Sequence, residues 1–229
     1  MGKTIRIQQG SKLAKLYNSM IGSHQLWELW QDSMEMFAIS ISNTVDFRYY
    51  DKRESTYMAL VKKYTKDELL TFCKILAEIT IELEENPEQD LLGGLYMALD
   101  LGSHWHGQFF TPYSVCAMMA STLCADNIAD SIKKPISIFD CACGGGATLI
   151  AAAHEYTKTL KKRGLIAQEH ITIYAQDISP VCAMMCYIQL SLQGFAAKVK
   201  VGDSLLDPLL KSDNGANIWY TPMYLWQNR

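Results

Sequence analysis

The chain has 229 residues, of which 49% are hydrophobic, and its formal net charge is −3. A chain of this length and composition can bury a core, which excludes an intrinsically disordered protein and favours one domain, with or without an appendage. No segment approaches the roughly 20 consecutive apolar residues that span a bilayer, and the N-terminus lacks a signal peptide's apolar run. We therefore predict a cytoplasmic protein without a membrane partner. Its acidic balance is unusual for a protein that binds duplex DNA unaided.

The first predicted unit is an N-terminal helical subdomain over residues 1–101. Apolar residues recur there at intervals of three and four, as in Leu13, Leu16 and Met20. The pattern is interrupted at Asn86-Pro87, a pair that ends helices.

The second predicted unit covers residues 102–229. After Pro135 its sequence consists of short β-rich segments that alternate with helical ones. The predicted strands are Ile136–Asp140, Ile171–Asp177, Ala197–Asp203 and Asn217–Tyr220, and the predicted crossover helices are Ala147–Arg163 and Ser179–Leu192. This β-α-β-α-β order predicts an α/β fold with a parallel sheet.

Seven cysteines are scattered along the chain. A chain of this size needs no disulfide staples, and an odd number argues against a disulfide framework. The close pairs Cys141/Cys143 and Cys182/Cys186 have neither C-x-x-C spacing nor a neighbouring histidine pair. We therefore expect reduced cysteines and no metal site.

A glycine-rich turn follows the first predicted strand. Asp140 ends the strand, and Cys143, Gly144, Gly145 and Gly146 lead into the next helix. Glycines let the backbone approach a ligand closely, and the N–H groups at a helix start attract anionic groups. The pattern indicates a loop that binds a nucleotide cofactor, although a tight turn without any ligand has the same composition.

Two further carboxylates, Asp177 and Asp203, end the second and third predicted strands, at the sheet edge where ligands bind in α/β folds. Asp177 follows Gly146 by 31 positions, whereas the acid of a dinucleotide fingerprint lies about 20 residues on. No phosphate-binding G-x-x-x-x-G-K-[ST] motif occurs. These spacings favour S-adenosylmethionine over NAD or a nucleoside triphosphate, while turn and cap roles for the aspartates remain the alternative.

Four motifs, taken in order, resemble those of N6-adenine DNA methyltransferases, especially the modification subunits of type I restriction systems. They are Gly107–Pro112, Asp140–Gly146, Gln176-Asp177 and Gly202-Asp203. The resemblance implies a Rossmann-like sheet that binds S-adenosylmethionine, preceded by a helical region. It implies DNA as the macromolecular partner, with a specificity partner or second subunit assisting recognition. A homo-oligomer is an alternative assembly.

The resemblance also implies roles for individual residues. The methionine end of the cofactor would lie beside Gln108, Phe110, Thr111, Pro112 and the loop Cys143–Gly146, which includes Gly144 and Gly145. Asp140, just before this loop, would also be a cofactor-binding residue. Asp177 would hold the ribose, and Asp203 would hold the adenine amino group of the cofactor. From the residues alone, the segment ending in Pro112 also fits an apolar connector that ends at a helix start.

The catalytic motif of that family is Asn or Asp, Pro, Pro and an aromatic residue after the fourth strand. At the corresponding place, 18 residues after Asp203, this chain has Thr221-Pro222-Met223-Tyr224. The resemblance implies that Thr221 and the Pro222 carbonyl accept hydrogen bonds from the target amino group, and that Tyr224 stacks on the flipped base. A threonine hydroxyl is a poorer acceptor than an amide, and losing one such bond costs about a hundredfold in rate.

The predicted function is direct methyl transfer to adenine N6 in DNA, slow or dependent on a partner. The sequence ends at Arg229, five residues after Tyr224, so the resemblance implies a truncated sheet. A non-catalytic relative that binds cofactor or acts as a decoy in a restriction-modification complex is the main alternative. A methyltransferase for small molecules or proteins is a third interpretation.

Overall fold

The computed structural model describes residues 11–101, 110–131 and 135–228, with the backbone alone for 125–131. The helices before the sheet are α1 (Lys12–Asn18), α2 (Leu26–Asn43), α3 (Tyr50–Val61), α4 (Lys66–Glu85), α5 (Leu91–Ala98) and α6 (Tyr113–Ser131). A 3₁₀ turn, Phe47–Tyr49, precedes α3. The helical pattern predicted for the N-terminal part is therefore confirmed.

Local signals in the sequence explain where these helices begin. The Thr65 hydroxyl accepts the Glu68 N–H, and the Glu68 carboxylate accepts the Thr65 N–H, which forms a capping box at the start of α4. The Ser11 hydroxyl caps α1 by accepting the Ala14 N–H. Within the described ranges, no helix is long and apolar enough to cross a membrane.

The sheet has the spatial order β1-β2-β3-β4, and the first three strands are parallel. The strands are β1 (Ile136–Asp140), β2 (Ile171–Asp177), β3 (Ala197–Val201) and β4 (Ile218–Tyr220). Their connections contain α7 (Ala147–Lys161) and the short α8 (Ala167–His170) between β1 and β2, and α9 (Pro180–Leu192) between β2 and β3, while α10 (Pro222–Gln227) follows β4. The predicted β-α-β-α-β arrangement is confirmed, but β3 ends before Asp203.

One hydrophobic cluster joins the helical part of the chain to the sheet. It runs from Leu13 in α1 through Trp30 in α2 to Tyr187 in α9 and Ile173 in β2. Helices α7 and α9 lie close together, since His154 Nε2 on α7 is 2.7 Å from the Oε1 atom of Gln193, which ends α9. The two predicted units therefore share a core in the described part of the chain.

The last strand, β4, runs antiparallel to β3, with Lys198 opposite Tyr220 and Lys200 opposite Ile218. Contacts from the helical part hold it there: the buried Arg53 guanidinium donates to the Ile218 carbonyl oxygen at 2.9 Å. The same guanidinium lies 4.4 Å from the Trp219 ring centroid. Because β4 is antiparallel to its neighbour, its C-terminal end lies beside the N-terminal end of β3, at the opposite end of the strands from the carboxyl ends of β1 to β3.

Candidate functional site

A cavity of about 210 Å³ opens at the carboxyl ends of β1 and β2. Its lining residues are Phe110, Thr111, Asp140, Ala142, Cys143, Gly144, Gly145, Ala147, Thr148, Asp177 and Cys182. Ligand pockets commonly measure about 300–1,000 Å³, so this cavity encloses only part of a nucleoside-sized ligand. The remainder of such a ligand would lie across the adjoining surface.

The loop from β1 to α7 needs glycine at two positions. Gly144 has φ +52° and Gly146 has φ +97°, in the left-handed region that disfavours other residues. A Cβ atom on Gly146 would lie 2.9 Å from Cys186 Sγ, and one on Gly144 would lie 3.0 Å from the Phe110 ring. The two glycines therefore allow the turn to form and allow Phe110 and Cys186 to pack closely against it.

Asp177 connects the end of β2 to this loop. Its Oδ2 accepts the Gly144 N–H at 2.8 Å, and its Oδ1 accepts the Ser179 N–H at 2.9 Å. A carboxylate has about four acceptor positions, so the contacts from the described residues leave two for a ligand. Asp177 is 8% exposed and lines the cavity. It can therefore accept hydrogen bonds from two neighbouring hydroxyl groups.

Asp140 provides the second carboxylate of the cavity. Its Oδ1 accepts the Ala142 N–H at 3.0 Å, and its Oδ2 accepts the Thr148 hydroxyl at 2.5 Å. Among the described residues that line the cavity, none is Lys or Arg. Two carboxylates without a cationic side chain favour a positively charged ligand and disfavour the phosphates of a dinucleotide.

The cysteines of the site are not activated nucleophiles. Burial raises the pKa of Cys182 to about 12. A hydrogen bond with Cys186, followed by burial, raises the pKa of Cys143 well above its usual value. Because the thiolate is the reactive form, these groups are inert near neutral pH. None of the seven cysteines, all of which lie in the described ranges, takes part in a disulfide.

The structure brings most of the predicted cofactor-binding residues together around the cavity, namely Phe110, Thr111, Asp140, Cys143, Gly144, Gly145 and Asp177. Gln108 lies outside the described residues. Pro112 and Gly146 do not line the cavity: the Pro112 carbonyl accepts N–H groups at the start of α6, and Gly146 begins α7. Asp203 is also absent from the lining, and its Oδ1 accepts the Leu205 and Leu206 N–H groups in a turn.

Thr221, Pro222 and Tyr224, which were predicted to be catalytic, are not among the residues that line the cavity. Because β4 is antiparallel to β3, they lie at the opposite sheet edge. The buried Thr221 hydroxyl donates to the Phe195 carbonyl at 2.7 Å and accepts the Ala197 N–H at 2.8 Å. It also caps α10 by accepting the Tyr224 N–H. These contacts give Thr221 a structural role.

Sequence reasoning missed four lining residues: Ala142, Ala147, Thr148 and Cys182. Thr148 lies in the first turn of α7, and Cys182 lies in the first turn of α9. Each helix starts shortly after a strand end where the sequence predicted a ligand-binding aspartate. The first turn of each helix was therefore the available signal, since parallel-strand loops and helix starts meet at one sheet edge.

Comparison with known proteins gives a family and two individual similarities. The family model for N-6 DNA methylase matches residues 90–223. The MjaIX methylase subunit of a type I restriction enzyme from Methanocaldococcus jannaschii is 29% identical over 101 residues, which are 44% of this chain and 16% of that protein. The chain thus spans less than a fifth of that relative's length.

Among solved structures, similarity is found to a Listeria monocytogenes protein that is described as a class I S-adenosylmethionine-dependent methyltransferase. The TM-score is 0.47 at 15% identity, and the match covers 94% of this chain and 66% of the other.

Proposed function

Because the chain belongs to the N-6 DNA methylase family, we propose that it binds S-adenosylmethionine at the β1–β2 edge for methyl transfer to adenine N6 in DNA. The observation that carries this proposal is the pairing of Asp177 with the glycine loop through Gly144. Together with the contact from the Ser179 N–H, it leaves two acceptor positions of Asp177 unused by the described residues, and these suit the two ribose hydroxyls of the cofactor.

The donor set of the cavity fits a sulfonium cofactor. The cofactor carries a positive charge at sulfur, and Asp140 and Asp177 supply compensating negative charge. The methionine end would lie against Phe110, Thr111 and the glycine loop, at the start of α7, where helix N–H groups attract a carboxylate.

Exposed apolar side chains follow the carboxyl ends of β2 and β3 and suit the faces of an adenine ring. Ile178, directly after Asp177, is 68% exposed, and Leu205, in the loop after β3, is 91% exposed. Burying such surface is favourable at about 25 cal/mol per Å². We propose that these residues contact the adenine of the cofactor, while Asp203 holds its amino group.

When bound, the cofactor supplies an electrophilic methyl group for the adenine amino nitrogen. The residues of this chain bind and orient it: Asp177 through the ribose, and the loop ending at Gly146 through the methionine end. The buried, protonated thiols of Cys143 and Cys182 line the site without contributing a nucleophile. The proposal therefore has no covalent enzyme intermediate.

Binding without turnover is the second candidate, and the position of Thr221 favours it. In the described part of the chain, the Thr221-Pro222-Met223-Tyr224 segment lies at the opposite sheet edge and cannot contact a base beside the cavity. A chain with these properties would hold cofactor or occupy a modification complex. In the catalytic case, residues other than Thr221 would have to activate the adenine, and we propose that a second subunit assists DNA recognition.

A methyl-transfer assay separates the two candidates. The protein would be incubated with methyl-labelled S-adenosylmethionine and duplex DNA of randomised sequence, and N6-methyldeoxyadenosine would be measured after digestion. Product that disappears in Asp177→Ala supports the methyltransferase. Cofactor binding without product supports the binding role, and the absence of both contradicts the proposal.

A further inference from the structure

The glycine loop is attached to α5 through a chain of buried polar contacts. The Gln189 Nε2 group, on α9, donates to the Gly145 carbonyl oxygen at 2.8 Å and to Asp90 Oδ1 at 2.8 Å. Gln189 is fully buried. Its Oε1 accepts the Leu92 N–H at 3.1 Å, so both ends of the amide are used.

Asp90 fixes the other end of this chain of contacts. It is the N-cap of α5, and its Oδ1 also accepts the Gly93 N–H at 2.9 Å. A Cβ on Gly93 would lie 2.0 Å from Asp90 Oδ2, and one on Gly145 would lie 3.1 Å from Oδ1. The carboxyl group therefore fits between two glycines, one in α5 and one in the cofactor loop.

A second contact joins α5 to another residue that lines the cavity, Phe110. The Tyr96 ring packs edge-on against Phe110 at a centroid distance of 5.1 Å. Phe110 in turn lies on Gly144. Helix α5 is thus linked to the cavity lining twice, through Asp90 and Gln189 to Gly145 and through Tyr96 to Phe110.

We propose that Asp90 and Gln189 are positioning residues that set the conformation of the glycine loop, and hence the affinity for cofactor, according to the position of α5. The inference rests on the proposed cofactor site. The Gly145 carbonyl has a fixed direction only while Gln189 holds it, and Gln189 is fixed by Asp90. Because such coupling acts in both directions, cofactor bound at the glycine loop also restrains the position of α5.

The test compares S-adenosylmethionine affinity, by isothermal titration, with thermal stability. Asp90→Ala and Gln189→Leu remove the contacts and are expected to weaken binding about tenfold, since unsatisfied buried groups are costly. Asp90→Asn keeps the acceptor oxygen and is expected to bind within about twofold of the unmodified protein.

Thr65→Ala is the matched control. This substitution removes the N-cap of α4. Because α4 has 20 residues, Thr65 lies about 30 Å from the end of α4 that leads to α5. It is expected to lower the melting temperature as Asp90→Ala does, because each loses a cap, but to leave cofactor affinity unchanged. Equal affinities for Asp90→Ala, Gln189→Leu and Thr65→Ala would overturn the inference.

Hydrogen exchange gives a readout that separates this inference from the proposed function. Without ligand, peptides covering residues 141–147 are expected to exchange faster in Gln189→Leu than in Thr65→Ala. With ligand, peptides covering α5 are expected to exchange more slowly in the unmodified protein but not in Gln189→Leu. A protein that binds no S-adenosylmethionine contradicts the proposed function. If residues 141–147 exchange at equal rates in Gln189→Leu and Thr65→Ala, the proposed positioning role is contradicted.

Discussion

At the residue scale, the left-handed conformation of Gly146 has a measurable energetic consequence. Gly146→Ala combines an unfavourable φ with a contact to Cys186, and we expect the free energy of unfolding to fall by about 1–3 kcal/mol. Gly164→Ala is the control, because Gly164 also has positive φ but open space around its Cβ position. Urea unfolding of both variants measures the difference. Equal losses would show that the Cys186 contact is unimportant.

The ionisation of Asp46 is expected to make the free energy of unfolding depend on pH. Burial favours its neutral form, but hydrogen bonds from Arg48 and Arg53 outweigh this and lower the pKa of Asp46. Because the pKa of this carboxyl is lower in the folded protein than in the unfolded chain, its ionised form stabilises the fold at pH values above the unfolded pKa, near 4. That stabilisation is lost as the pH falls through the lower pKa of the folded protein. We expect Asp46→Asn to be destabilising at pH 7 and the difference from the unmodified protein to shrink below about pH 4. A difference independent of pH would contradict this.

At the element scale, the segment from Thr221 to Tyr224 illustrates where sequence patterns stop being informative. Strands β1 to β3 were predictable because apolar runs alternated with amphipathic helices. The direction of β4 was not, since its three residues are all buried and carry no directional signal. Contacts distant in sequence, from Arg53 to Ile218 and from Tyr49 to Asn214, hold it antiparallel.

This structural role of Thr221 gives a direct prediction. Thr221→Val keeps the shape but leaves the Ala197 N–H without its acceptor, and we expect the free energy of unfolding to fall by about 1–3 kcal/mol. Affinity for S-adenosylmethionine should not change, because the residue lies at the opposite edge of the sheet. Calorimetric unfolding and isothermal titration of the same preparation test both statements. Unchanged stability with reduced affinity would restore the functional interpretation.

Among the predicted site residues, the aspartates that end strands are the ones that line the cavity. Asp140 and Asp177 end strands, and the sheet brings both to one cavity. Asp203 was placed on a strand, but β3 ends at Val201 and the aspartate instead caps the following turn. The Asp90–Gln189 contact joins residues 99 positions apart, so no local pattern could indicate it.

At the scale of the whole molecule, the helical part and the sheet are expected to unfold together. One hydrophobic cluster extends from α1 to β4, and Arg53 joins α3 to β4. Shared packing favours a cooperative transition. Far-ultraviolet and near-ultraviolet circular dichroism in urea should therefore give coincident midpoints. Two separated transitions would indicate that the helical subdomain is an independent unit.

The central claim is that the cavity at the β1–β2 edge binds S-adenosylmethionine through Asp177. Isothermal titration of the unmodified protein and of Asp177→Ala tests it most directly. We expect binding near micromolar affinity that is lost in the variant, because the ribose hydroxyls lose their acceptor. The absence of binding by the unmodified protein, or equal binding by both proteins, would contradict the claim.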